Sequence, residues 1–148
     1  MTIPSEVLSI LEPLVKMFEG CKLQSYQDSA GVWTIGYGHT GPDVVQGLSW
    51  TQDQADAQLA LDLNRAYSLC IQAAPCLLNE TKSRQAALTD FVYNLGVGTL
   101  DRSSLRSAAM VGAWQNVKTQ LSLWIHAGGK IEEGLVRRRA AEISLIDA

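Results

Sequence analysis

Three cysteines and two histidines are all that the 148 residues offer to a metal or a disulfide framework. Cys21, Cys70 and Cys76 are irregularly spaced, and His39 and His126 complete no ligand pattern with them, so neither a metal nor another cofactor is expected. Cys70 and Cys76 flank Pro75 and are close enough in sequence to pair, but reduced, packed thiols fit a reducing cytosol better. Long apolar runs are also missing. Within residues 1–19, Pro4, Glu6, Glu12, Pro13 and Lys16 interrupt anything resembling a signal core or a membrane span, so neither export by a signal peptide nor stable membrane insertion is expected. No dense basic run interleaved with aromatics points to nucleic acid.

What is present describes one globular unit with a sizeable core, 47% hydrophobic and 18% charged. The net charge of −3 hides an asymmetry: residues 1–101 carry five Lys/Arg against eleven Asp/Glu, and residues 102–148 carry seven against four. Such a split marks either a face for an anionic partner or ordinary helix surface, and composition does not choose.

Val7, Leu8, Ile10, Leu11, Leu14, Val15 and Phe18 recur at helical spacing, with Gly20 as the stop and Pro13 expected to bend or split the helix. Tyr26-Gln27-Asp28, the turn Ser29-Ala30-Gly31 and the run Val32 to Tyr37 read as a hairpin. Alternation puts Thr34, Gly36 and Gly38 on one face, where glycine permits close approach of a ligand or marks a bend, and Trp33, Tyr37 and His39 on the other. Thr51 with Gln54 forms a capping box for a long helix over about Gln52–Ala73. Helices are expected over Arg84–Leu95, burying Leu88, Phe91, Val92 and Leu95, then over Ser104–Val111, Ala113–Ile125 and about Leu135–Ile146.

Glu19, Asp28 and Thr34 stand nine and six residues apart on three different elements. Cleaving an acetal needs a proton for the leaving oxygen and negative charge beside the developing cation. Glu19, at the negative end of a helix and against Phe18, is expected to resist ionisation, while Asp28 at the hairpin edge stays charged. With the turn between them, Asp28 and Thr34 are placed to hold one attacking water. A carboxyl separation of about 6.5–9.5 Å implies inversion, and one near 5 Å implies retention.

Phe18-Glu19-Gly20, Tyr26-Gln27-Asp28 and Trp33-Thr34-Ile35-Gly36-Tyr37-Gly38-His39 closely resemble the catalytic segment of phage-type lysozymes, the endolysins of glycoside hydrolase family 24. Phe91 to Gly96, Trp124, Gly128-Gly129 and Gly134 to Arg139 extend the resemblance along nearly the whole chain. It implies an α+β, mostly helical, two-lobed lysozyme-like fold in one domain: a helix and small β-hairpin lobe over about residues 1–50, a connecting helix over about 51–74 and a helical lobe over about 75–148. It implies a muramidase that hydrolyses the β-1,4 bond between N-acetylmuramic acid and N-acetylglucosamine of peptidoglycan, with Glu19 as acid and Asp28 and Thr34 positioning water.

The resemblance also places Tyr93 and Asn94 in the glycan cleft and gives His39 a structural role. Trp33, Tyr37 and Trp124 are read as core rather than sugar platforms. Arg137, Arg138 and Arg139 lie about 100° apart on a helix and cannot all face one way; Arg138 matches the family's inward arginine. The implied biology is a monomer in the bacterial host cytoplasm that reaches the wall after a separate, holin-type membrane protein opens the membrane. The competing readings are a lytic transglycosylase, which has no use for a water clamp, and a catalytically inactive peptidoglycan-binding module.

Overall fold

The computed structural model describes residues Met1–Ala148 and is mostly helical, with a three-stranded and a two-stranded antiparallel sheet. Helix α1 (Ser5–Glu19) buries Val7, Leu11 and Val15. Pro13 does not split it. The proline sits on the exposed side, where water can serve the carbonyl that loses its helical partner. Gly20, at φ 65°, ends the helix and returns its N–H to the Lys16 carbonyl.

Strands β1 (Lys22–Gln27), β2 (Trp33–Gly36) and β3 (His39–Thr40) form one sheet in that order. The expected strand through Tyr37 is thus too long: the chain turns a second time at Tyr37-Gly38 and pairs Ile35 with His39. Gly36 and Gly38 take φ 66° and 85°, left-handed values that make the reversal possible. Tyr26 lies opposite Thr34, which lies opposite Thr40, so these three share one face.

Helix α2 (Gln52–Ala73) has the expected capping box, with Gln54 N donating to Thr51 Oγ1 at 3.2 Å and Thr51 N to Gln54 Oε1 at 2.8 Å. Its buried stripe of Leu59, Leu63, Ala66, Tyr67 and Cys70 runs from the sheet to a 3₁₀ turn over Pro75–Asn79. Helix α3 (Lys82–Leu95) packs against α1 and α2 and against α7 (Glu133–Ile146). Gln85 to Val92 are buried without interruption because α3 is enclosed on every side. Leu95, expected in the core, is only half-buried. Gly96 stops α3, and α4 (Val97–Asp101), absent from the sequence reading, follows directly.

Helix α5 (Ser104–Met110) agrees with expectation, but α6 (Trp114–Leu121) ends four residues before Ile125. There Ser122 Oγ bonds the Thr119 carbonyl at 2.6 Å, a local competitor of the helix ladder. Strands β4 (His126–Ala127) and β5 (Lys130–Ile131) then form a small hairpin around Gly128-Gly129. All three cysteines are free; burial pushes the Cys70 thiol up to about 12, and Cys76 Sγ donates to the Ala109 carbonyl.

Candidate active site

Glu19 closes α1, and the abrupt turn at Gly20 leaves its carboxyl facing the second hairpin. A Cβ on Gly38 would lie 2.9 Å from Glu19 Oε2, and one on Gly36 would meet the Trp50 ring at 2.9 Å. The space read from sequence as room for a ligand is occupied by these two side chains instead.

The other oxygen, Oε1, accepts a hydrogen bond from Arg138 Nη1 at 2.5 Å. Of the three consecutive arginines, Arg138 alone reaches the acid. Its Nε and Nη2 make a two-pronged contact with Asp90, both bonds 2.9 Å long. Arg138 is 4% exposed and Asp90 fully buried. Burial would lower the guanidinium, but Asp90 and Glu19 more than reverse this and keep it charged.

Arg139 turns inward to Glu142 at 2.7 Å and to Asn94 Oδ1 at 2.8 Å, whereas Arg137 stays exposed. With Oδ1 occupied, Asn94 offers its NH₂ elsewhere. Burial holds the Glu142 carboxyl well above the usual range, and Asp90 pushes it further in the same direction against the pull of Arg139. Arg138 and Arg139 thus answer acids inside the protein, and Lys118 pairs with Asp147 on the surface. Of the basic excess of residues 102–148, Arg138 is thus answered by acids elsewhere in the chain, while Arg102, Lys130 and Arg137 stay exposed.

Asp28 and Thr34 converge on one residue. Asp28 Oδ1 accepts from the N–H groups of Ala30 and Val32, both at 2.9 Å, and the Thr34 hydroxyl donates to the Val32 carbonyl at 3.0 Å. Asp28 is exposed, with Oδ2 outside these bonds, while Thr34 is buried. Tyr26, on the Thr34 face, is 39% exposed; partial burial raises its phenol, and the charges of Glu19 and Asp28 raise it further.

Tyr93 donates its hydroxyl to the Tyr37 carbonyl, tying α3 to the hairpin turn beside Gly38. Two cavities flank this tie. One of about 220 Å³ is lined by Gly38, His39, Asp62, Arg65 and Tyr93; the other, about 610 Å³, is lined by Phe18, Glu19, Asn94, Glu132, Arg137 and Arg138. The structure therefore brings Glu19, Asn94 and Arg138 into one cavity and Tyr93 and His39 into the next, with Asp28 and Thr34 at the first hairpin.

Residues 16–142 match the family model described as phage lysozyme. The chain is 35% identical over 125 residues to the SAR-endolysin of Bacteriophage PS119, covering 84% of this chain and 73% of that one. It is 36% identical over 144 residues to the endolysin of Lactococcus phage c2, of whose length the match spans 57%. The chain belongs to the phage lysozyme family. It is accordingly a glycoside hydrolase of the muramidase class, with peptidoglycan as substrate at family level. Among solved structures, the muramidase domain of SpmX from Asticaccaulis excentricus superimposes with a TM-score of 0.82 at 27% identity, covering 100% of this chain and 98% of that one. The active form of the P1 phage endolysin Lyz gives 0.81 at 26% identity, covering 97% and 83%.

In this phage lysozyme family member His39 bridges two carboxylates, Nδ1 to Asp62 at 2.7 Å and Nε2 to Asp43 at 3.0 Å, with Trp50 beside its ring. Burial alone would lower the imidazole, but the bonds to Asp62 and Asp43, and their charges, raise it above its ordinary 6.5. A raised folded-state value means that the contribution is full below the unfolded value and is lost as pH rises through the folded one. Asp62→Asn is thus expected to cost about 1–3 kcal/mol near pH 5.5 and less near pH 8.5. Thermal unfolding at the two pH values checks this; an equal loss at both removes the charged pair.

Asp90, Glu142 and Tyr26 were not singled out from sequence. Asp90 had one available signal: it lies in the apolar stretch Ala86 to Val92, where an acid requires a buried cation. Trp124 packs edge-on against Phe91, 5.8 Å between centroids, as a core residue.

Proposed function

We propose that this chain is an endolysin that hydrolyses the β-1,4 bond between N-acetylmuramic acid and N-acetylglucosamine, with Glu19 as the general acid and Asp28 and Thr34 holding the water. The observation that carries this reading is the arrangement around Val32. Asp28 Oδ1 is fixed by two N–H donors, so Oδ2 is directed outward as a base. Thr34 uses its only proton on the Val32 carbonyl, so its oxygen presents lone pairs. A water that donates one hydrogen to each turns its own lone pair outward, toward a sugar carbon.

The acid, Glu19, lines the cavity of about 610 Å³. Glu19 gives its proton to the leaving oxygen as the glycosidic bond breaks; water adds to the ring carbon, and Asp28 takes the proton that water sheds. Tyr93 and Asn94 line the two cavities beside the acid and contact the glycan on either side of it. Division into lobes over about 1–50, 51–74 and 75–148 belongs to the same reading, as does passage to the wall through lesions made by a separate membrane protein.

Mass spectrometry of digested peptidoglycan tests the assignment. Each cut is expected to add one water and leave a reducing N-acetylmuramic acid end. Anhydro ends, with no water added, would make the enzyme a transglycosylase, and wall that is bound but uncut would make it a binding module.

A further inference from the structure

Between α1, α3 and α7 lie two buried polar chains, Glu19–Arg138–Asp90 and Asn94–Arg139–Glu142, and Glu19 and Asn94 open into the same cavity of about 610 Å³. A cation against the carboxyl of a general acid favours its ionised form, and so depletes the proton it must carry to substrate, unless another anion neutralises the cation. Asp90 is placed to do this. It occupies two of the three nitrogens of the Arg138 guanidinium and leaves Nη1 for Glu19.

We propose that Asp90 is a positioning residue for the acid step: its fork fixes Arg138 so that one nitrogen meets Glu19, and its charge balances the guanidinium that touches the acid. Glu142 lies beside it, where burial and the neighbouring Asp90 raise its carboxyl against the pull of Arg139. The proposal rests on Glu19 being the acid, although Asp90 itself is sealed from the cavity and touches no substrate.

The surrounding charges make the sign clear. Glu19 is faced by Arg138 from α7, Asp90 and Tyr93 from α3 and Tyr26 from β1, with Glu132 and Arg137 across the cavity. Asp90 is faced by Arg138 and Glu142 from α7. Only Arg138 is a cation bonded to the acid, so removing the charge of Asp90 turns an uncompensated positive group onto Glu19 and favours its ionised form.

The test is the pH–rate profile of Asp90→Asn on purified peptidoglycan, with kcat and KM separated. The expected result is an alkaline limb about one pH unit lower than in the wild type and a kcat at least about tenfold lower, with KM little changed. A limb at the wild-type pH overturns the proposal, because a purely structural role lowers the folded fraction without moving the limb. Asp90→Glu keeps the charge but displaces it by a methylene, and carries the test if Asp90→Asn does not fold. Its limb is expected to stay in place while kcat falls, and a wild-type kcat there overturns the positioning. Failure of Glu19 as the acid is read separately, from the activity of Glu19→Gln with Asp90 intact.

Discussion

Glu19→Gln is expected to lower the rate of peptidoglycan cleavage by roughly 10²–10⁴-fold while the protein stays folded. The substitution removes the carboxyl assigned as proton donor and leaves the shape. The amide oxygen of Gln still accepts from Arg138 Nη1, and Arg138 keeps both of its bonds to Asp90, so the buried pair is not broken. The stability change is therefore expected to stay within about 1–2 kcal/mol, far from the cost of orphaning a buried charge. Asp28→Asn is the companion, with an expected activity loss of similar size. Its Oδ1 retains the N–H groups of Ala30 and Val32, so the turn persists while the base is lost. Release of soluble muropeptides, measured beside the far-ultraviolet circular dichroism of each variant, decides the matter. A folded Glu19→Gln that cuts at the wild-type rate removes Glu19 from the chemistry.

Why these residues were readable from sequence, and Asp90 was not, has a physical explanation. Glu19, Asp28 and Thr34 owe their positions to local grammar: a helix ended by Gly20, a turn over Ser29 to Gly31 and the strand that follows. Short-range rules set those features, so spacing carried the information. The capping box at Thr51 and Gln54 was legible for the same reason. Asp90 and Glu142 take their meaning from α3 lying enclosed among α1, α2 and α7, a long-range fact that no local pattern contains. Arg138 had a direction only through family resemblance, since three arginines in succession face three ways. Two errors were local and avoidable. The helix read through Ile125 ran four residues past Leu121, and the strand read through Tyr37 ran past Gly36, whose left-handed backbone ends β2.

Gly38→Ala is expected to inactivate the enzyme through contact rather than chemistry. The new methyl would lie 2.9 Å from Glu19 Oε2, closer than a carbon and an oxygen tolerate. A carboxyl at the end of a side chain ordinarily swings away at little cost. Here Oε1 is held by Arg138, which Asp90 holds in turn, so either the acid breaks that bond or the hairpin turn shifts. The turn resists as well, because the Tyr37 carbonyl is tied to Tyr93. A displacement of about an ångström at the acid costs on the order of 10²-fold in rate. The φ of 85° adds a backbone penalty of about 1–2 kcal/mol for any residue with a Cβ. Gly36→Ala carries the same kind of backbone penalty, and its methyl would strike Trp50 instead. Comparing the two separates strain from chemistry. Both variants are expected to melt at lower temperature, and only Gly38→Ala to lose activity per folded molecule. Equal specific activity in the two, measured well below either melting point, would mean that the contact with Glu19 has no part in holding the acid.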